Sequence, residues 1–421
     1  MRILYSLLTR ISYYFIWGAQ FVSSKMKLFV SGRKNVFEQL QSKITTSDKT
    51  IWFHCASLGE FEQGAPIMEA VRKLLPNYKI VVTFFSPSGY EVKKNAPIAD
   101  VITYLPLDTS KNAAKFVSIV HPSLAIFVKY EFWPNYLFTL ESNKIPAVVV
   151  SALFRSKQVF FKSHGGFMRK ALRTLDHIFV QDVQSSELLS RLNMNNWTIS
   201  GDTRFDRVSH QIEQNNSLEF MDRFKGTSLC VVCGSTWPED EAVLLNAIND
   251  SSEKLKFVIA PHKIDASKIK AFRSKINKPS ILYSELNNTS EKKSMAEHTV
   301  LIVDTIGLLT KIYSYADIAY VGGAMGVTGL HNILEPATFG VPIVIGKNYK
   351  RFPEAVRLRQ LAGLFSVSNN QECTEILDKL ITNKSFRDKT GMISEHFINS
   401  NTGATEKIMN YISKLNSNSL V

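Results

Sequence analysis

Short apolar runs, rich in β-branched residues, recur along this chain at intervals long enough to hold a helix between them. In the first half they fall at 51–55, 80–85, 101–104, 124–128, 147–150 and 178–180. Runs of this kind, without a polar residue at every second place, suit strands buried on both faces, and their spacing predicts a doubly wound parallel sheet. The chain turns polar over 201–216, which predicts a linker. A second series starts at Leu229 and continues at 257–260, 281–283, 301–303 and 318–321. Two α/β domains in tandem are therefore expected, although the sequence shows no internal repeat. Helical spacing returns over 375–380 and 404–415.

Ahead of both series lies a different pattern. Residues 3–22 are mostly apolar and rich in aromatics, and about twenty such residues reach across a bilayer as a helix. Arg10, near the middle, costs roughly 2.5–3.5 kcal/mol on insertion, and Ser12 and Gln20 weaken the segment further. Two readings stay open: a spanning anchor, or an amphipathic helix lying in the interface with its aromatics down and Arg10 snorkelling. A cleaved signal peptide fits less well, because the basic residues Lys25, Lys27, Arg33 and Lys34 follow the apolar run rather than precede it. Placed there, they hold the downstream chain on the cytoplasmic side.

Composition sharpens this picture. The net charge is +13, and the first fifty residues, with eight Lys/Arg and two Asp/Glu, carry nearly half of it. Such a balance suits nucleic acid or a membrane surface, and its place beside the apolar run selects the membrane. A chain of 421 residues exceeds a single core, and 45% apolar with 21% charged residues describes an ordered globular protein. Four cysteines, Cys55, Cys230, Cys233 and Cys373, are too few for a disulfide framework. Cys230 and Cys233 share one predicted strand, where residues three apart point to opposite faces, so no shared metal or disulfide is expected.

Candidate chemistry clusters where strands end. After the run at 318–321 come Gly322, Gly323, Gly326 and Gly329, then His331 and Asn332 at the expected start of a helix, and Glu335 one turn on. A helix start reached through glycines offers free N–H groups to a phosphate, and a carboxylate there suits hydroxyl donors such as a ribose diol. A plain tight turn is the alternative. Glu60 follows the 51–55 run, and Glu131 follows the 124–128 run with Lys129 and Tyr130 beside it. Both carboxylates sit where open α/β sheets place ligands, though a helix-start or surface role fits each as well. Ser235 and Thr236 follow the run from Leu229, and Pro261 with His262 follows the next. No H-E-x-x-H, zinc spacing, P-loop or G-x-G-x-x-G stands in the chain.

The segments H-N-I-L-E-P at 331–336 and G-V-P-I-V-I-G at 340–346 resemble the nucleotide-sugar site of two-Rossmann (GT-B) glycosyltransferases. The lipid A Kdo transferases, which move 3-deoxy-D-manno-octulosonic acid from its CMP derivative, are the family the chain is most similar to. The strand followed by H-x-x-S-x-G-E at 54–60 matches too, and the resemblance implies that Glu60 is the general base. It further implies that Glu131, before W-P-N, and Arg204, within G-D-T-R-F-D, stabilise the transition state. The family carries an acid at the Lys129 position and a lysine at the Arg204 position. Nucleotide contacts are implied for Ser235, Pro261, His262, Ile306, Gly307, Leu308, Gly322, Gly323, Asn332, Ile333, Leu334 and Glu335. Of these, His262 stands where the family has arginine, and Leu308 where it has an acid.

The expected architecture is α/β, GT-B, with two Rossmann-like domains whose parallel sheets face a cleft and an N-terminal membrane-anchor helix. Residues 1–24 are expected as the anchor, 25–210 as the acceptor-binding domain, 211–400 as the CMP-sugar domain and 401–421 as a C-terminal helix. The implied reaction inverts the sugar carbon, uses CMP-Kdo as donor and the tetraacyl lipid A precursor as acceptor, and needs no metal or cofactor. The implied place is the cytoplasmic side of the inner membrane, with no nucleic-acid partner. The departures at Lys129, Arg204, His262 and Leu308 leave a binding protein without turnover as an alternative. A sugar-nucleotide epimerase is a third.

Overall fold

The computed structural model describes residues 1–252, 254–287 and 295–419. It divides into two units, Met1–Arg207 with Asn401–Val421, and Val208–Ser400. Among the described residues each is built on one seven-stranded sheet in which every pairing is parallel.

The first sheet holds β1 (Lys49–Cys55), β2 (Tyr78–Phe84), β3 (Val101–Tyr104), β4 (Pro122–Val128), β5 (Ala147–Ala152), β6 (His177–Val180) and β7 (Trp197–Ile199). Their order across the sheet is β3-β2-β1-β4-β5-β6-β7. Alternate residues of β1 feed two different cores: Trp52 packs with Phe116, Phe127 and Tyr136, while Ile51 and Phe53 pack on the opposite face. That double burial is why the strands carry no alternating pattern. The last helix, Ala404–Ser419, returns to this unit and buries Ile408 and Ile412 in the second of those cores. Asp206 holds its start by accepting from Gly403 N, Thr405 N and Thr405 Oγ1, each at 2.6 Å.

The second sheet holds β8 (Leu229–Thr236), β9 (Leu255–Pro261), β10 (Ser280–Leu282), β11 (Val300–Ile302), β12 (Ile318–Val321), β13 (Ile343–Gly346) and β14 (Leu364–Val367), ordered β10-β11-β9-β8-β12-β13-β14. In both sheets the chain reverses its direction of travel beside the first strand, between β1 and β4 and between β8 and β12. A crevice opens at the carboxyl end of such a switch point.

Three local expectations need correction. The polar stretch 201–216 is not all linker, because Thr203–Ser209 is helical. The helix after the glycine turn starts at Leu334, not at His331, and runs only to Thr338. No helix among the described residues is long and apolar enough to cross a membrane. The N-terminal segment forms the helix Arg2–Ala19, which turns its polar side to the first unit. Arg2 Nε donates to Asn135 Oδ1 at 2.9 Å, and the buried Ser6 hydroxyl lies 3.3 Å from Ser110 Oγ. The other side exposes Ile3, Leu4, Leu7, Leu8, Ile11, Tyr14 and Phe15.

Candidate active site

At the first switch point, β1 ends in His54 and Cys55, and the helix Leu58–Leu74 begins three residues later. Ser57 and Glu60 form a reciprocal capping box, with Ser57 N donating to Glu60 Oε2 at 3.1 Å. Glu60 as a residue is 8% exposed. Burial, then the negative charge of Glu131, pushes its pKa up to about 7, against the opposing effects of the Ala56 and Ser57 N–H groups and Lys129. A carboxyl poised near neutrality can take up or release a proton in ordinary conditions. Lys129 reaches this place through a left-handed backbone (φ 70°), a conformation that costs a non-glycine residue roughly 1 kcal/mol or more.

Glu131 follows β4 and is held by His54 of β1 and by Trp133, which stands just before the helix Pro134–Ser142. Its Oε2 accepts from Trp133 Nε1 at 2.8 Å and lies 3.2 Å from His54 Nε2. His54 is fully buried, and its Nδ1 lies 2.8 Å from Thr83 Oγ1 and 3.1 Å from the Thr83 carbonyl, which fixes the ring. Sequence reasoning gave His54 no task; the structure makes it a support for Glu131.

Arg204 opens the helix Thr203–Ser209, and its Nε donates to Asp202 Oδ2 at 2.8 Å. Burial alone would raise the Asp202 pKa, but the charge of Arg204 and hydrogen bonds from Arg204 and Gln63 outweigh it and lower it. Gln63 Nε2 donates to Asp202 Oδ1 at 3.0 Å, so this pair is locked to the same helix that carries Glu60. About a third of the Arg204 side chain stays open to solvent.

The second switch point is pinned by a residue that sequence reasoning passed over. Asp240 is fully buried and accepts from Trp237 N at 2.9 Å, Gly323 N at 2.8 Å and Tyr320 Oη at 2.9 Å. It thereby ties the turn after β8 to the turn after β12. Gly323 has φ 92°, and a Cβ there would strike the Gly329 carbonyl. A Cβ on Gly322 would meet the Ser235 carbonyl, and Ser235 itself is left-handed at φ 53°. These glycines are required by the packing of the turn itself.

Glu335 is oriented from both sides, by Asn332 Nδ2 to Oε1 at 3.1 Å and Thr310 Oγ1 to Oε2 at 3.1 Å. Asn332 is exposed, while Ile333 and Leu334 are buried in the unit and present no side chain to solvent. Ile306 is 83% exposed, beside Gly307 at φ 90° and the half-buried Leu308. Pro261 ends β9, and the His262 ring stacks on Trp237 (4.8 Å, 23°) and lies 4.3 Å from the His331 ring. Trp237 Nε1 donates to His331 Nε2 at 3.1 Å. Burial, with His262 adjacent, lowers the His331 pKa to about 4, so that ring is neutral at pH 7 and free to accept this bond. The Trp237–His262–His331 stack was not legible in the sequence, because its members come from three separate turns.

Two parallel-sheet units, each with polar side chains gathered at a switch point, define an α/β fold of the GT-B type. A structure of UDP-GlcNAc 2-epimerase from Neisseria meningitidis shares it, with a TM-score of 0.62 at 13% identity over 87% of this chain and 100% of that one. The family model for 3-deoxy-D-manno-octulosonic-acid transferase (kdotransferase) matches residues 32–207. A 3-deoxy-D-manno-octulosonic acid transferase of Haemophilus influenzae is 26% identical over 86% of each chain. Another, of Chlamydophila psittaci, is 29% identical over 70% of this chain and 69% of its own length. The family match over residues 32–207 and these relatives over most of the chain support a glycosyltransferase of the Kdo transferase kind.

Proposed function

We propose that this glycosyltransferase moves Kdo from CMP-Kdo to the tetraacyl precursor of lipid A, with inversion at the sugar carbon. The observation that carries the reading is Glu60, a buried carboxyl at the carboxyl end of β1 whose pKa is raised to about 7. In this mechanism Glu60 removes the proton from the acceptor's primary hydroxyl as the oxygen attacks. Glu131, oriented by His54 and Trp133, favours positive charge developing on the sugar ring. Arg204 offsets charge on the departing phosphate, moderated by its ion pair with Asp202. The second unit binds CMP around Ser235, Pro261, His262, the backbone at 306–308, Gly322, Gly323 and the segment Asn332 to Glu335. The direct test is incubation with CMP-Kdo generated in situ and the tetraacyl acceptor, read by mass spectrometry. Product with one or more added Kdo masses supports the proposal; an unchanged acceptor alongside intact CMP binding leaves a binding protein instead.

Donor binding has its own test. The Glu335 carboxylate, already held by Asn332 and Thr310, suits the hydroxyls of a ribose. Glu335→Ala and Asn332→Ala are each expected to weaken CMP binding by about 1–3 kcal/mol, the scale of a lost buried or charge-assisted hydrogen bond. Calorimetry showing undiminished affinity in both variants removes this segment from the site.

The helix Arg2–Ala19 is proposed to lie in the interface on the cytoplasmic side of the inner membrane, because its apolar side faces outward and its polar side is spent on the first unit. Deleting residues 1–24 is expected to release the protein from membranes at moderate salt and to preserve the fold, since β1 begins only at Lys49. Quantitative sedimentation of the truncated protein with membranes at high salt contradicts this placement.

A further inference from the structure

Between the helix Arg2–Ala19 and the segment 106–112 lies a cleft of about 470 Å³ whose lining is unusual in charge. Arg10, Arg33, Lys34 and Lys111 line it together with Tyr13 and Tyr14, and no acidic residue takes part. Among the described residues the side chains of Arg10, Lys34 and Lys111 make no hydrogen bond or ion pair with the protein, and all three residues are exposed. Their charge is therefore not consumed by folding.

Arg33 is the fixed part of the wall. Its guanidinium donates to the carbonyls of Leu105 (3.0 Å), Phe29 (3.0 Å) and Phe85 (2.7 Å) and stacks over the Phe29 ring at 3.6 Å. Burial pulls its pKa down to about 10, yet it stays charged at pH 7 and has carbonyls rather than a carboxylate as partners. A cation held in this way keeps its field uncompensated within the cleft.

The cleft also adjoins the apolar side of the helix. Tyr14 belongs to both, lining the cleft while remaining 71% exposed, and Arg10 stands one turn before it. Cations flanking an apolar stripe place a headgroup site next to a surface for acyl chains. A free anion would gain little here, since three of the four cations are exposed and screened by salt.

We propose that this cleft binds the phosphate headgroup of an anionic glycerophospholipid in the leaflet on which the helix lies. Arg10, Lys34 and Lys111 would pair with the phosphodiester, the two tyrosines would face the glycerol, and the apolar stripe beyond Tyr14 would take the acyl chains. The inference rests on the interfacial reading of the helix and is independent of Kdo transfer.

Its test uses the full-length protein and dihexanoyl phosphatidylglycerol kept below its micelle concentration, followed by calorimetry. Saturable one-to-one binding is expected. It should be weakened by about 100-fold in the triple variant Arg10→Gln/Lys34→Gln/Lys111→Gln, at about fivefold for each cation removed. The Lys25→Gln/Lys27→Gln variant, whose changes lie outside the cleft, is expected to bind as the parent does. Absence of saturable binding, equal binding in the triple variant, equal loss in the Lys25/Lys27 variant, or equal binding of inorganic phosphate each overturns the proposal. Since the substituted side chains are exposed, the triple variant should melt as the parent does, and a variant that fails to fold is replaced by Lys111→Glu alone. Flotation with pure phosphatidylcholine vesicles reports separately on the helix, so a failure of the cleft and a failure of the interfacial placement give different results.

Discussion

Glu60→Gln is expected to lower sugar transfer by about 10²–10⁴-fold at neutral pH, the usual contribution of a positioned base. Glutamine keeps the shape of the side chain and can still accept from Ser57 N, but it cannot take a proton from the acceptor. CMP affinity should be unchanged, because Glu60 itself is not among the proposed donor contacts. The pH profile gives a second readout. In the parent the rate should rise as pH climbs through about 7, where Glu60 ionises, and this limb should vanish in the variant. Stability should move the opposite way. Below 4.5, the ordinary value, the group is protonated whether the chain is folded or not. Above that, the unfolded chain ionises first while folded Glu60 keeps its proton until about 7, so its contribution to stability falls across that interval. The variant escapes this loss: it should match the parent near pH 4 and exceed it at pH 8 by about 1–3 kcal/mol. Normal turnover with unchanged melting would reduce Glu60 to a helix cap.

Asp240→Ala is expected to damage the second unit more than any substitution at the proposed contacts. Three donors, Trp237 N, Gly323 N and Tyr320 Oη, would lose their acceptor inside the protein, the last two of them in buried bonds. At about 1–3 kcal/mol for each orphaned group, partly relieved by relaxation, the loss should be on the order of 3–5 kcal/mol. CMP binding should fall with it, because the paired turns after β8 and β12 would no longer be held together. Asp240→Asn keeps an acceptor oxygen and should lose much less. Calorimetric melting of the three proteins, with CMP titration at a temperature where all are folded, checks the pair of effects. If the alanine variant melts like the parent, the turn is supported elsewhere.

The strands were legible wherever both faces of the sheet are covered, since full burial writes itself as an unbroken apolar run. β7 and β14 escaped because each is a short edge strand that is only partly buried, whereas the equally short edge strand β3 is buried throughout and was legible. The helix Lys384–Asn399 escaped for a related reason: small and polar residues such as Thr390, Gly391 and Ser394 fill much of its buried face. Glu60 and Glu131 could be singled out because each directly follows a strand, although family resemblance, not spacing, separated them from ordinary helix-start acids. What the chain could not reveal is pairing at a distance. Asp240 meets Gly323 across 83 positions, Trp237 meets His331 across 94, and Thr310 meets Glu335 across 25. No local pattern encodes these meetings; they follow from the order of strands in the sheet.

The return of the helix Ala404–Ser419 makes the second unit an insertion within the first. The chain passes between the units twice, near 207 and near 400, and the first unit is assembled from two separated stretches. During synthesis the second unit, Val208–Ser400, is contiguous and has all its residues available before the first does. The first begins earlier but must wait for residues 403–412, because Ile408 and Ile412 belong to its core and Asp206 accepts from Gly403 and Thr405. Domains usually mature on the ribosome in the order they are made. Here the unit that starts first finishes last, so the half carrying Glu60 spends the longest time incomplete and in need of protection from aggregation.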